Sequence, residues 1–239
     1  MKVLNKNLRK RIIQKGYEMK NGHLGSALSC VDVIKYLYDE VLQKDDLLIL
    51  SKGHGSMALY SVLEGKMENV LWREHPEIDE EKGIYATTGS LGHGVPIGLG
   101  RAFGKKLKGN LGKVYILTGD GEIEEGSNWE SFILANKLDV NLNLLIDWNK
   151  YQAIGELKKD LNLDGFSLEK KLTSFGFKSQ ILNGHNLGEL KKLKNLGNGL
   201  NAVILDTIKG KGVKFLEEEH PHVYIPNEGE YYKFLNELN

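Results

Sequence analysis

The sequence predicts an α/β fold, a parallel sheet with helices on both faces. Two observations carry this: short apolar runs of strand length alternate with stretches whose apolar residues recur every three or four positions, and loops rich in glycine and histidine crowd behind several of those runs. Strands separated by helices require right-handed crossovers, which set the strands parallel and cover the sheet on both sides. Ligands of such sheets bind at the carboxyl edge.

The elements follow in order. Residues 8–19 and 28–42 have helical spacing and flank Asn21-Gly22-His23-Leu24-Gly25, so the chain opens as helix, loop, helix. Strands are expected at 47–50, 114–117, 142–146, 179–182 and 202–205, with helices at 57–63, 95–107, 129–138 and 187–196 between them. The lysine-, asparagine- and glycine-rich stretch 191–199 reads as a solvated helix end and loop. Residues 217–239, acidic and aromatic, end in a terminal helix. No repeat divides the chain, and one domain over 1–239 is the expected organisation.

Lysine plus arginine equals aspartate plus glutamate at 32 each, so no global field recruits nucleic acid or an anionic membrane. A single cysteine, Cys30, excludes an internal disulfide framework and agrees with the cytoplasm. The basic N-terminal residues Lys2, Lys6, Arg9, Lys10 and Arg11 are scattered among short apolar steps, with no apolar stretch for a signal peptide or a membrane span.

Glycine lets backbone N–H groups approach a phosphate closely, and four loops offer this: Gly22-His23-Leu24-Gly25, Ser51-Lys52-Gly53-His54-Gly55, Thr88-Gly89-Ser90-Leu91-Gly92-His93-Gly94 and Gly119-Asp120-Gly121. Common nucleotide motifs are absent. Each Gly-Lys pair has Tyr60, Leu99, Leu107 or Leu205 where a Walker loop needs glycine, and Ile97 breaks the dinucleotide fingerprint after Gly92-His93-Gly94. Asp120 and Asn149 each close an expected strand. If those strands are neighbours, about 4.8 Å apart, their oxygens converge on one cation, and a diphosphate would complete the octahedral set that magnesium prefers. Taken alone, Gly-Asp-Gly reads as a tight turn and Asn149 as a helix cap, and it is the pairing of two strand ends that shifts the balance to a cation site.

The run Gly-Asp-Gly-Glu-Ile-Glu-Glu-Gly-Ser-Asn-Trp-Glu from Gly119, with Asn149, resembles the thiamine diphosphate motif of transketolases. Similar in wording and order are Leu50-Ser51-Lys52-Gly53-His54-Gly55, His75-Pro76-Glu77, Thr87-Thr88-Gly89-Ser90-Leu91-Gly92 and Thr207-Ile208-Lys209-Gly210-Lys211-Gly212-Val213, so the resemblance spans roughly residues 15–230. It implies the thiamine-diphosphate-binding fold. It further implies Mg2+ held by Asp120, Asn149 and the backbone carbonyl of Tyr151, and cofactor contacts from His54, Gly89, Ser90, Leu91, Gly121, Glu122 and Asn149. His23, His75 and His222 match channel histidines that handle sugar hydroxyls, a task suited to a group with pKa near 6.5. Glu125, the fourth residue of the implied catalytic set, matches an acid near the subunit interface. The sequence departs from the family at Leu24, where proline is usual and leucine resembles deoxyxylulose phosphate synthase, at His93 in place of glutamine, and at Glu217-Glu218-Glu219-His220-Pro221 before His222.

In this family a glutamate of the pyrimidine-binding module supports the cofactor's aminopyrimidine, and the resemblance covers only the diphosphate-binding module. The implied enzyme is therefore split, two such subunits with two transketolase-like partner subunits that carry the pyrimidine-binding domain. It would transfer a two-carbon ketol unit from a ketose or its phosphate to an aldose or its phosphate. The alternatives are another thiamine-dependent enzyme acting on a 2-oxo acid, by decarboxylation or by acyl transfer to an unusual sugar, and a catalytically silent cofactor-binding protein.

Overall fold

A computed structural model describes residues 3–239; Lys2, counted above among the N-terminal basic residues, lies outside them. The chain opens with helices α1 (Lys6–Met19) and α2 (Leu24–Tyr36), the latter running into a π-helical turn, Leu37–Val41. Strand β1 (Leu47–Leu50) and helices α3 (Ser56–Glu64) and α4 (Gly94–Leu107) follow, then β2 (Val114–Gly119), α5 (Gly126–Leu138) and β3 (Leu142–Trp148). A small hairpin, β4 (Tyr151–Gln152) with β5 (Gly155–Glu156), leads into α6 (Leu157–Leu161) and α7 (Gly165–Ser174). The chain closes with β6 (Lys178–Asn183), α8 (Leu187–Leu190), β7 (Leu200–Asp206), α9 (Lys214–Glu219) and α10 (Glu228–Glu237).

The five long strands form one parallel sheet in the order β1-β2-β3-β7-β6. Because side chains alternate along a strand, each strand feeds two cores. Val114 and Ile116, Leu142, Leu144 and Ile146, and Ala202 and Ile204 pack on one face with α4, α5 and α7. Tyr115 and Leu117, Leu145, and Val203 and Leu205 pack on the other with α1, α2 and α3. The buried polar positions of β3 and β7 are matched by register: Asn143 stands opposite Asn201 and accepts from its amide at 3.0 Å. Edge strand β6 is the most polar of the five, as an unpaired edge favours.

All five expected strands are present, and the structure moves several boundaries. Helix α2 starts at Leu24 instead of 28, because Asn21 accepts from the His23 backbone N–H at 3.0 Å and closes the loop early. The helix expected over 187–196 is split into α8 and a 3-10 turn, Lys191–Asn195. The terminal helix occupies only Glu228–Glu237, started by a reciprocal capping box between Asn227 and Glu230. Among the described residues, no helix is long and apolar enough to cross a membrane.

Candidate active site

The glycine-rich loops meet beyond the carboxyl ends of β1, β2, β3 and β7. Close approach of backbone explains their composition: a Cβ on Gly53 would lie 2.6 Å from the backbone nitrogen of Gly89, itself at φ +142°. Glu122 braces these loops from beneath. Its carboxylate accepts from Ser51 Oγ at 2.6 Å, Thr118 Oγ1 at 2.7 Å and the Gly92 N–H at 3.1 Å.

Parallel pairing of β2 with β3 places Gly119 opposite Asp147, so Asp120 and Asn149 leave adjacent strand ends. Asp120 is buried and accepts from the backbone N–H groups of Lys150 (2.6 Å) and Gly121 (2.9 Å). Burial, reinforced by the nearby Asp147 carboxylate, pushes its pKa up to about 7. Burial would raise Asp147 as well, but the buried Lys52 ammonium pairs with it and the hydroxyls of Ser29 and Thr207 donate to it, and together they hold it low. Asp147 also accepts from the Asn149 amide nitrogen at 3.5 Å, which fixes that nitrogen as the inner end of the amide. Lys209 is 3% exposed, its ammonium has no hydrogen-bond partner among the described residues, and burial lowers its pKa to about 8.

These groups line a cavity of about 240 Å³. Opposite the strand ends stand four imidazoles. His23 lies with its ring centroid 5.7 Å from His54, 6.1 Å from His75 and 5.4 Å from His222. Burial, then neighbouring imidazoles, lowers the pKa of His23. Burial and Lys52 hold His54 well below its ordinary value, and burial and Lys209 lower His222. These three are neutral at physiological pH, each with one donor and one acceptor nitrogen.

Of the residues anticipated from sequence, His23, His54, His75, His222, Gly89, Leu91, Asp120, Gly121, Glu122, Asn149 and Tyr151 line this cavity. Ser90 and Glu125 do not: both are exposed, and Glu125 instead packs its side chain against Gly92. Glu122 lines the cavity while its carboxylate accepts from the loops beneath it. Leu24 is fully buried against Gly16 and His93 is exposed, so neither departure from the family pattern enters the cavity. Sequence reasoning missed Ser26, Lys52, Gln152 and Lys209 as lining residues, and His220, which stacks on the Tyr151 ring at 3.6 Å. The signal for Lys209 was present: a lysine followed by glycine just after a strand end.

Residues 4–193 match the family model described as the transketolase thiamine diphosphate binding domain. The chain belongs to the transketolase family. It is 33% identical to one of the subunits of the apulose-4-phosphate transketolase of Phocaeicola vulgatus, across 97% of this chain and 91% of that one. It is 32% identical to a 6-deoxy-6-sulfo-D-fructose transketolase subunit of a Clostridium species, across 88% and 85%. Among solved structures, transketolase from Campylobacter jejuni superposes with a TM-score of 0.76 at 25% identity, covering 98% of this chain and 45% of that one. The chain thus spans nearly the whole of the subunit relatives and less than half of the solved transketolase.

The donor chemistry of the cavity fits a magnesium diphosphate. Asp120 and Asn149 offer hard oxygens at one edge, and a diphosphate would partner the orphaned Lys209 ammonium and Ser26 hydroxyl. Among the described residues no cluster of three or more histidine, cysteine or acidic side chains is arranged for a metal.

Proposed function

We propose that this chain is the thiamine-diphosphate- and Mg2+-binding subunit of a two-chain transketolase, moving a two-carbon ketol unit from a ketose or ketose phosphate to an aldose or aldose phosphate. The observation that carries the reading is the meeting of the Asp120 and Asn149 strand ends with four imidazoles across one cavity. In this reading the whole of residues 1–239 serves as one diphosphate-binding module. Asp120, Asn149 and the Tyr151 carbonyl hold the cation, Lys209 and Ser26 face the diphosphate, and His54, Gly89, Leu91 and Gly121 border the cofactor.

When bound, thiamine diphosphate supplies the carbon nucleophile for ketol transfer. The work of this chain is to hold that cofactor and to move protons on the sugar. His23, His75 and His222 stand where a substrate's hydroxyls would enter. A neutral imidazole, as at His23 and His222, accepts a hydroxyl proton as the adjacent carbon–carbon bond breaks and returns it to the acceptor aldose. Glu125, exposed and outside the cavity, belongs in this reading to the surface that meets the partner.

The partner carries the pyrimidine-binding domain, and two copies of each chain assemble with cofactors between them. Two relatives matched over most of their length are themselves named as transketolase subunits, which supports a second polypeptide. We assign the enzyme to the cytoplasm, where the lone Cys30, buried with its thiol pushed up to about 12, stays reduced. Purification from the native host tests the reading. The chain should bring a transketolase-like partner with it, and only the pair should transfer ketol groups between sugar phosphates. Normal ketol transfer by the chain alone, or release of carbon dioxide from pyruvate by the pair in place of transfer, would overturn it.

A further inference from the structure

Away from the cavity, three ionisable side chains are packed together in the core. Arg9 of α1 is fully buried, as is Asp32 of α2 apart from 1% of its surface, and His185, in the turn after β6, is 4% exposed. Asp32 accepts from Arg9 Nη2 at 2.5 Å, from His185 Nδ1 at 2.8 Å and from the Asn5 amide at 2.8 Å. Removing such groups from water is costly, and apolar residues of equal volume often serve stability as well or better. Stability alone therefore gives no reason for this cluster.

What it touches supplies one. His185 Nε2 accepts from the backbone N–H of Ile208 at 3.0 Å, so its Nδ1 must carry the proton it gives to Asp32, and the network fixes one neutral tautomer. Arg9 Nη1 donates to the carbonyl of Lys211 at 2.7 Å. Two further bonds complete the pattern: the Thr207 N–H to the Trp148 carbonyl at 3.1 Å, and the Gly210 N–H to the Gly25 carbonyl at 2.9 Å. The residues on either side of Lys209 are thus tied down through their backbone. The Lys209 side chain, buried and unpartnered, is the one group of the segment left to act in the cavity.

We propose that Arg9, Asp32 and His185 form a buried strut that positions the 207–211 segment so that the Lys209 ammonium meets the diphosphate. Arg9 and His185 each link the carboxylate to the segment's backbone, at Lys211 and at Ile208, and His185 is the central positioning residue because its bond falls on the residue next to Lys209. The inference rests on the reading of the cavity as a diphosphate site.

The test is calorimetric titration of thiamine diphosphate, at saturating Mg2+, into the full chain and three variants. Lys209→Met should weaken binding by roughly ten- to a hundredfold, the scale of a hydrogen bond to a charged group. His185→Leu keeps the bulk and removes both bonds, and should weaken binding by about tenfold. The double variant should bind no more weakly than Lys209→Met alone, because a misplaced ammonium and an absent one are equivalent. His185→Gln, able to accept from Ile208 and donate to Asp32, should return to within about threefold of the parent. Should His185→Leu not fold, Thr207→Val loosens the opposite end of the same segment and carries the same expectation. Parental affinity in His185→Leu or Thr207→Val, fully additive losses in the double variant, or parental affinity in Lys209→Met would each overturn the strut while leaving the cavity reading intact. Absence of binding by the parent chain, both alone and together with the partner that purifies with it, would remove both.

Discussion

At the scale of single residues, two buried aspartates on neighbouring strand ends are driven in opposite directions. Asp147 is ionised because Lys52 is beside it. Asp120 has two backbone donors and forms no direct ion pair among the described residues, so burial and the Asp147 carboxylate outweigh the pull of Lys52 and leave its pKa at about 7. A carboxyl whose folded pKa is raised favours the fold below its unfolded pKa of about 4 and loses that contribution as pH rises through about 7. Without metal, Asp120→Asn should therefore be more stable than the parent at pH 8, by about 1–3 kcal/mol, and should gain little at pH 4. Urea unfolding at the two pH values checks this; equal stability of the two proteins at pH 8 would contradict it. Lys52→Met leaves Asp147 buried without its ammonium and should cost about 3–5 kcal/mol in the same assay.

At the scale of elements, the close packing of loops matters more than any one hydrogen bond. Gly53→Ala places a methyl group against the Gly89 backbone, which cannot yield as a flexible side chain would, and should destabilise by about 1–3 kcal/mol in thermal or urea unfolding. An unchanged midpoint would show that the two loops are not held together as described. Element by element, legibility followed burial. The central strands were plain because both faces are covered and the runs are continuous, as in Leu144, Leu145 and Ile146. Helix α7 was missed because it buries only Leu168 and Leu172, although its Asp164 cap was there to be read. The β4–β5 hairpin, two residues on each strand, has no period to detect. Gly25 read as loop punctuation; it lies inside α2, where the Lys209 stem passes 3.2 Å from the position of a Cβ.

At the scale of the molecule, the site is assembled from strand ends and loops far apart in the chain. Motif wording exposed the parts that carry recognisable residue pairs, such as Asp120 with Asn149, and the histidines in their loops. It did not expose Ser26 or Gln152, whose roles depend on which surfaces the fold brings to one cavity. Nor could spacing foresee that Glu122 would be consumed in bracing loops, since that requires knowing that Ser51 and Gly92 lie beside it. Thermal unfolding with thiamine diphosphate and Mg2+ shows whether the Asp120 edge anchors a magnesium diphosphate. At about a hundred times the dissociation constant the parent should gain about 2.7 kcal/mol, a midpoint rise of roughly 5–10 °C for a chain of this size. Asp120→Ala should lose most of that magnesium-dependent gain; a variant that keeps it in full would remove Asp120 from the cation site.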